Sequence, residues 1–232
     1  MQTTLAQFNE TQSQDAFALQ NSKLLKVSLQ QVTIQAKLGA MVAYQGEVKF
    51  EHAGSGGLGR MVKKAVTGEG AKLMKMEGSG EVFLADRAQD VHLFRLDNEQ
   101  VTCNGRNVLA FDSDIDWDIK KFEGGVSGML AGGLFNMSLS GTGSVAVVSD
   151  GPPVLLQTGG APTFCDPQAA ITWSSGVRTK VKTDAQLKTL IGRGSGETVQ
   201  LGFEGDGWVL VQPSEGRVES GGGNSLLGNL TG

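Results

Sequence analysis

The sequence predicts an all-β protein made of three tandem, pseudo-symmetric β units, and three observations support this fold class. Glycine is abundant, at 34 of 232 residues, whereas proline is scarce, at 5. A pattern around two glycines recurs three times, and a second pattern with an aromatic residue recurs in the same order. Short apolar runs that alternate with period 2 lie between these patterns and indicate strands. Frequent glycine in such runs is typical of turns and bulges in β-sheets.

The first recurring pattern reads apolar, x, Gly, x, Gly, x, Val, x, apolar. Its three copies are Met76–Leu84, Leu139–Val147 and Phe203–Val211. The leading glycines, Gly78, Gly141 and Gly205, follow one another at intervals of 63 and 64 residues. We therefore expect these three glycines to hold equivalent places in the fold.

The second recurring pattern has an aromatic residue at its second position. The aromatics are Tyr44, Phe111 and Trp173, at intervals of 67 and 62 residues. Two independent patterns with nearly the same period indicate an internal repeat. The three aromatics are expected to be buried in one shared core layer, together with the valines of the glycine pattern, which are Val82, Val145 and Val209.

These patterns divide the chain into units at about residues 22–98, 99–160 and 161–216. Each unit should contain a strand pair around a turn, a glycine-rich middle and the Gly-x-Gly strand. Few short helices are expected, in the middle segments 58–66 and 184–191, whereas 124–135 is small and apolar. A single unit of this size can bury only one face of its sheet. Three units are therefore expected to share one core and to pack as one compact, barrel-like body. Residues 1–216 are thus predicted to form a single domain, and 217–232 a flexible tail rich in Gly, Ser and Asn.

Composition and charge exclude several classes of protein. The net charge of −4 gives no basic field, which makes a nucleic-acid partner unlikely on bulk charge. No apolar run approaches the ~18 residues of a membrane-spanning helix. Residues 1–20 carry no signal or transit pattern, so we predict a cytoplasmic protein. Cys103 and Cys165 lie 62 residues apart, at equivalent repeat positions, and are expected to remain reduced and unbridged.

Four stretches resemble a known family. Gly39–Gly46, Asn107–Asp112, Gly192–Glu197 and Val211–Glu215 occur in the order found in bacterial relatives of altered inheritance of mitochondria protein 24, the mitochondrial biogenesis protein family. The resemblance extends over roughly residues 20 to 216. It implies a fold similar to the tryptophan RNA-binding attenuation protein, related to the double-stranded β-helix and repeated within one chain. It also implies a role in membrane organisation, since eukaryotic members are associated with the mitochondrial inner membrane, and it supplies no catalytic residues.

Motifs for catalysis or cofactor binding are weak. His52 and His92 lie 40 residues apart, far from the close spacing of a histidine metal site. Gly194–Gly196 reads as a turn rather than a nucleophile elbow, and Gly54–Arg60 as an insertion rather than a phosphate loop. No cofactor or metal is therefore predicted, and the protein is not expected to be an enzyme.

One acidic run leaves an enzymatic alternative open. Alternation should place Asp112, Asp114, Asp116 and Asp118 on one strand face, where they could act as a carboxylate site or bind a cation weakly. A charge-protected edge strand explains the same run more simply.

The strongest local basic cluster provides the candidate site. Its members fall in one glycine-bounded segment and are Arg60, Lys63, Lys64, Lys72 and Lys75. Such a cluster suits an anionic membrane surface or an acidic protein partner, although a solvated helix face gives the same pattern. We therefore predict a non-enzymatic scaffold or interaction protein. The alternative is a small-ligand or RNA-binding β module, by analogy with the attenuation-protein fold. A homo-oligomer, with a second copy as partner, stays open.

This segment generates a direct test. Each basic residue near an anionic membrane contributes about 1 kcal/mol, and the effect fades within roughly 8–10 Å at physiological salt. We expect the wild type to sediment with anionic vesicles at low salt, and the variant with Arg60, Lys63 and Lys64 all changed to Glu to remain in the supernatant. Equal partitioning of the two proteins would show that the segment has no such role.

Overall fold

The computed structural model describes residues 4–52, 72–120, 136–183 and 199–214. Within them the chain is all-β, apart from a short 3-10 helix at Thr4–Phe8. The strands in chain order are β1 (Phe17–Asn21), β2 (Leu24–Lys37), β3 (Met41–His52), β4 (Leu73–Leu84), β5 (Asp90–Asn104), β6 (Val108–Asp112), β7 (Asp116–Lys120), β8 (Asn136–Ser149), β9 (Val154–Thr158), β10 (Thr163–Cys165), β11 (Ala170–Ser174), β12 (Arg178–Thr183), β13 (Val199–Glu204) and β14 (Gly207–Val211).

Eleven of these strands form one antiparallel sheet. Nine follow the order β3-β4-β2-β6-β8-β5-β11-β14-β9, and β1 and β7 pair with β2 and β8 beside this path. The other three form a small sheet in the order β10-β13-β12. The path consists of three consecutive trios, each with the Gly-x-Gly strand in the middle. The trios are β3-β4-β2 in the first unit, β6-β8-β5 in the second and β11-β14-β9 in the third. Because β5 begins at Asp90 and β9 at Val154, the second and third units are taken from here on to begin at these strands, earlier than residues 99 and 161.

The same turn follows the first strand of every unit. A backbone amide donates to the carbonyl three residues earlier, and the carbonyl of the donating residue in turn accepts a bond from the end of the Gly-x-Gly strand. The turn bonds are Ala40 to Lys37, Asn107 to Asn104 and Ala169 to Asp166, at 3.1, 2.9 and 3.0 Å. The returning bonds are Ala85 to Ala40, Val148 to Asn107 and Gln212 to Ala169, at 2.9, 2.8 and 2.9 Å.

The leading glycines of the three patterns also hold equivalent places, as the sequence predicts. Gly78, Gly141 and Gly205 all adopt positive φ, at 131°, 125° and 106°. Each faces the backbone of an equivalent residue, which is Glu47 within β3, Asp114 in the turn between β6 and β7, or Gly176 in the turn between β11 and β12. A Cβ on Gly78 would lie 2.1 Å from the Glu47 carbonyl oxygen, so only glycine fits there.

Consecutive units are connected by what we call joints, in which the first strand of one unit pairs with the second strand of the next. At the first joint, Gln35 of β2 lies opposite Phe111 of β6. At the second joint, Thr102 of β5 lies opposite Trp173 of β11. The aromatic residue stands at the same position in both joints, so the two joints have the same register.

The predicted single core layer is wrong. The buried residues form three clusters, with Phe111 in the second and Trp173 in the third. Tyr44 is 49% exposed and contacts Phe50 edge-on, whereas Phe111 and Trp173 are 0% and 3% exposed. The physical reason is that β3 pairs only with β4 among the described residues, so no preceding unit covers Tyr44. The valines Val82, Val145 and Val209 are all buried, as expected.

The prediction of a barrel-like body also needs correction. Within the described residues the large sheet ends at β3 on one side and β9 on the other, and no strand pair closes it. The helical middles predicted at 58–66 and 184–191, the apolar stretch 124–135 and the tail 217–232 lie outside the described residues. No helix in the described part of the chain is long and apolar enough to cross a membrane.

The burial difference predicts a graded effect on stability. Phe111→Ala and Trp173→Ala should each lower the free energy of unfolding by about 3–5 kcal/mol, because both leave large cavities. Tyr44→Ala should cost much less, since its ring is half in water already. Urea denaturation of the three variants checks this order. A loss at Tyr44 as large as at Phe111 would contradict the assignment of β3 to the sheet edge.

Candidate functional site

The main cleft of the described structure lies between the second and third units. It has a volume of about 780 Å³ and is bordered by the first half of β5 and by parts of β8, β9, β11 and β14. Its apolar walls include Leu93, Phe94, Leu96, Val101, Leu155, Trp208 and Leu210. Arg95, Glu99 and Gln100 supply polar groups. An apolar cleft with a few polar groups is the usual form of a binding site.

The cleft opens because β5 pairs with the third unit along only part of its length. β5 bonds to β11 at Val101–Cys103 alone, although it pairs with β8 from Asp90 to Asn104. The β5–β8 register shifts between Leu96 and Glu99, where Asn98 has a φ of 55°. A bulge of this kind bends a strand and increases its twist. Among the described residues, no strand pairs with the outer side of β5 before the bulge.

The backbone of this half-strand can still form hydrogen bonds. The Val91 amide points away from β8 and donates to the Ser22 carbonyl at 2.8 Å. Backbone groups in an antiparallel strand alternate in direction, so the amides of Leu93 and Arg95 point the same way as that of Val91. No described strand pairs with this side of β5 at Leu93 or Arg95. The cleft thus combines an apolar wall with an open strand edge.

His92 lines the cleft and contacts Ser149, but the two are not arranged for nucleophilic catalysis. His92 Nε2 is 2.7 Å from Ser149 Oγ, and that hydroxyl donates its proton to the Gly151 carbonyl at 2.6 Å. The histidine nitrogen must therefore be the donor of the pair. Burial lowers the pKa of His92, which keeps the ring neutral at pH 7. A base that donates to the serine cannot remove its proton, so this pair fixes β5 to the end of β8.

The four aspartates of the acidic run do not share one strand face, and that prediction is wrong. β6 ends at Asp112, the chain turns at residues 113–115, and β7 begins at Asp116. Asp112 Oδ2 accepts the Ser144 amide at 2.6 Å, so it serves the backbone of β8. Among the described residues, no group of three or more His, Cys, Asp or Glu side chains could hold a metal ion.

The basic cluster is only partly described. Arg60, Lys63 and Lys64 lie outside the described residues. Lys72 is exposed just before β4, where its carbonyl accepts the Leu38 amide at 2.7 Å. Lys75 pairs with Glu77 Oε2 at 3.0 Å, and this hydrogen bond raises the lysine pKa. Lys75 thus has an acidic neighbour in its own strand, which weakens its electrostatic attraction for an external anion.

The two cysteines occupy equivalent positions in different strand pairs. Cys103 of β5 lies opposite Met137, and Cys165 of β10 lies opposite Leu201. Both thiols are free. Burial raises the pKa of each to about 12, and Asp166 adds to the effect at Cys165. Since the thiolate is the reactive form, neither cysteine is activated as a nucleophile.

The raised pKa of both thiols predicts slow thiol chemistry in the folded protein. A free cysteine reaches its thiolate form near pH 8.5, so at pH 8 the folded protein should alkylate far more slowly than the denatured protein. Mass spectrometry after iodoacetamide treatment should show little modification in buffer and two modified thiols in denaturant. Rapid labelling of native Cys103, or a bridge between the two cysteines, would contradict this result.

The cleft could not be found from the sequence, because its walls come from two units that pair across a joint. Of the residues that line it, Gly141, Trp208 and Leu210 lie in the glycine patterns and His92 is one of the two histidines, and none of these signals indicates a cleft. The relevant sequence signal is the lack of any strand-forming segment between β4 and β5 that could cover β5 as β1 covers β2.

Comparison with known proteins places this fold. No curated protein matches the chain significantly. The crystal structure of protein SPYM3_0169 from Streptococcus pyogenes is similar, with a TM-score of 0.69 and 21% sequence identity. That match covers 85% of this chain and 92% of the streptococcal chain, and it shows a shared fold. The sequence model described as Mitochondrial biogenesis AIM24 matches residues 17–214. The chain therefore belongs to the AIM24 family, as the resemblance of its short motifs predicts.

Proposed function

We propose that the protein is an interaction protein whose cleft binds an extended, apolar segment of a partner protein by adding it as a strand to β5. One observation carries this proposal: in the first unit, the equivalent strand edge is already occupied in this way by β1. The fold thus contains its own example of the complex that we infer for the second unit.

β1 shows what such a complex requires. It pairs antiparallel with the first half of β2, placing Phe17 opposite Val27 and Leu19 opposite Leu25. Phe17 is buried in the first core cluster. The Ser28 amide donates to the Ala16 carbonyl at 2.8 Å, which extends the backbone pairing. Backbone bonds therefore hold the added strand, while alternate apolar side chains enter the core.

The second unit offers the same elements, and no described strand is added there. Phe94 of β5 lies opposite Val145, as Val27 of β2 lies opposite Val82, so the two half-strands correspond. The backbone groups of Leu93 and Arg95 that point away from β8 correspond to those of Lys26 and Ser28 that point away from β4. An apolar side chain of the added strand would contact Phe94, Trp208 and Leu155 on the cleft walls. We infer a partner segment of about five residues with alternating apolar side chains, the length of an ordinary strand.

Other features support a binding role of this kind. The family is associated with mitochondrial biogenesis by its description, which suits a scaffold. The basic segment with Arg60, Lys63 and Lys64 provides a second contact for an anionic surface or acidic partner. We also propose that the protein lies in the cytoplasm. We further propose that its fold is similar to that of the tryptophan RNA-binding attenuation protein.

The experiment selects displayed random peptides of about eight residues on the full chain. We expect peptides with alternating apolar residues to be enriched. Leu155→Asp should weaken their binding at least about tenfold, which corresponds to 1.4 kcal/mol. Val154→Asp is the matched control, because Val154 and Leu155 are 53% and 52% exposed but only Leu155 lines the cleft.

Hydrogen exchange separates strand addition from simple filling of the cleft. A bound strand should protect the amides of Leu93 and Arg95, whereas an apolar small molecule such as a naphthalene sulfonate dye should leave them unprotected. Enriched peptides that bind Leu155→Asp as well as wild type would contradict the proposal. Dye binding without amide protection, together with failed peptide enrichment, would favour a small-ligand module instead.

A further inference from the structure

The two joints among the described residues follow one rule for how consecutive units pair. In the first joint, Ile34, Gln35 and Ala36 lie opposite Asp112, Phe111 and Ala110. In the second joint, Val101, Thr102 and Cys103 lie opposite Ser174, Trp173 and Thr172. The repeat spacing makes these positions equivalent. Each unit therefore offers its first strand to the second strand of the next unit, in a fixed register.

Two matching edges are left open at the ends of the described fold. The first strand of the third unit ends in β10, whose residues Thr163–Cys165 pair with β13 and with no other described strand. The second strand of the first unit is β3, which pairs only with β4 among the described strands. By the repeat spacing, Phe164 occupies the position of Gln35 and Thr102. Tyr44 occupies the position of Phe111 and Trp173.

Both open edges carry exposed apolar groups where the internal joints are covered. Phe164 is 44% exposed and Tyr44 is 49% exposed. Val42, also on β3, is 58% exposed. The first half of β3, Met41–Gly46, contains no charged residue and no proline. Charge, proline and short length are the usual protections of an edge strand, so this part of β3 is unprotected against pairing.

The packing environment of Phe164 is specific to the third unit. Its ring lies against Gly202, where a Cβ would approach within 2.9 Å of the ring. The Lys182 ammonium lies 4.9 Å from the ring centroid. At the equivalent place the first two units have Lys75 and Ser138, opposite the polar Gln35 and Thr102. An aromatic group is therefore held at the edge of the third unit, where the internal joints use polar residues.

We propose that a second copy of this chain docks head to tail, with its β3 added antiparallel to β10. The rule of the internal joints sets the register, which places Tyr44 of one copy opposite Phe164 of the other. Ala43 then lies opposite Cys165, and Gln45 opposite Thr163. The interface joins two different surfaces, so each new copy presents the same pair of edges again. Such contacts produce rings when their rotation closes and filaments when it does not. This assembly is separate from the proposed peptide cleft on β5.

An engineered disulfide tests the register. In the second internal joint, Cys103 Sγ lies 3.3 Å from Thr172 Oγ1, and Ala43 is the repeat equivalent of Thr172. Ala43→Cys should therefore cross-link to native Cys165 of a second copy, giving dimers and larger species on a non-reducing gel. The oxidation is prolonged, because burial raises the pKa of Cys165 and slows its thiol chemistry. The double variant with Cys165→Ser should give none. A bridge within one monomer, or the absence of any bridge, would overturn the proposal.

Sedimentation tests the polarity of the contact. Tyr44→Lys removes one edge and Phe164→Lys removes the other, so each variant alone should be monomeric where the wild type assembles. A mixture of the two should form dimers that grow no further, because each variant retains the edge that the other lacks. Val154→Lys is the control for an exposed apolar residue away from these edges and should assemble like wild type. A wild type that stays monomeric at all concentrations, or variants that each assemble alone, would contradict head-to-tail docking.

Discussion

The backbone pairing at the joints is the interaction on which the rest of the structure depends. A sheet unit of some 60 residues buries one face and leaves its outer strands with unpaired amides and carbonyls. The joint satisfies part of both edges with one contact, since the first strand of a unit serves as the neighbour of the second strand of the next. It also covers the aromatic residue of that second strand. Phe111 and Trp173 are buried where the first strand of another unit pairs beside them, and Tyr44 is exposed where no described strand pairs with that side of β3.

Close approach of backbones inside each unit makes the joints possible. Gly78 and Gly80 lie against the carbonyls of Glu47 and Gln45, so β3 and β4 come nearer than any side chain would allow. β3 passes this close approach as one continuous strand, with Gly46 at a φ of 90°. In the later units the chain divides at the equivalent place into separate strands, β6 and β7 or β11 and β12. The same glycine pattern thus tolerates both a continuous strand and a divided one.

The joints are short, and this explains where binding surfaces occur. A joint pairs only three residues on each side, so the remaining half of each first strand needs another neighbour. In the first unit β1 supplies it, and Phe17 completes the first core cluster. In the second unit the corresponding half-strand borders the cleft with Phe94 and Trp208. The open edges and the cleft therefore have one cause. Each joint pairs only part of a first strand with the next unit, and what lies beside the remaining half differs between the first and second units.

The sequence by itself determined the fold class, the repeat and the family, because these depend on local requirements. A positive φ at Gly78, Gly141 and Gly205 demands glycine, and a buried alternate position demands an apolar residue such as Val145. Such requirements recur with the unit and can be read at its period. The tertiary structure alone decided which aromatic is buried, that the core divides into three, and that Asp112–Asp118 turns a corner. It also decided where the cleft lies. These features depend on which strands pair across a joint. That pairing joins residues far apart in the chain, so the local sequence around a residue does not determine it.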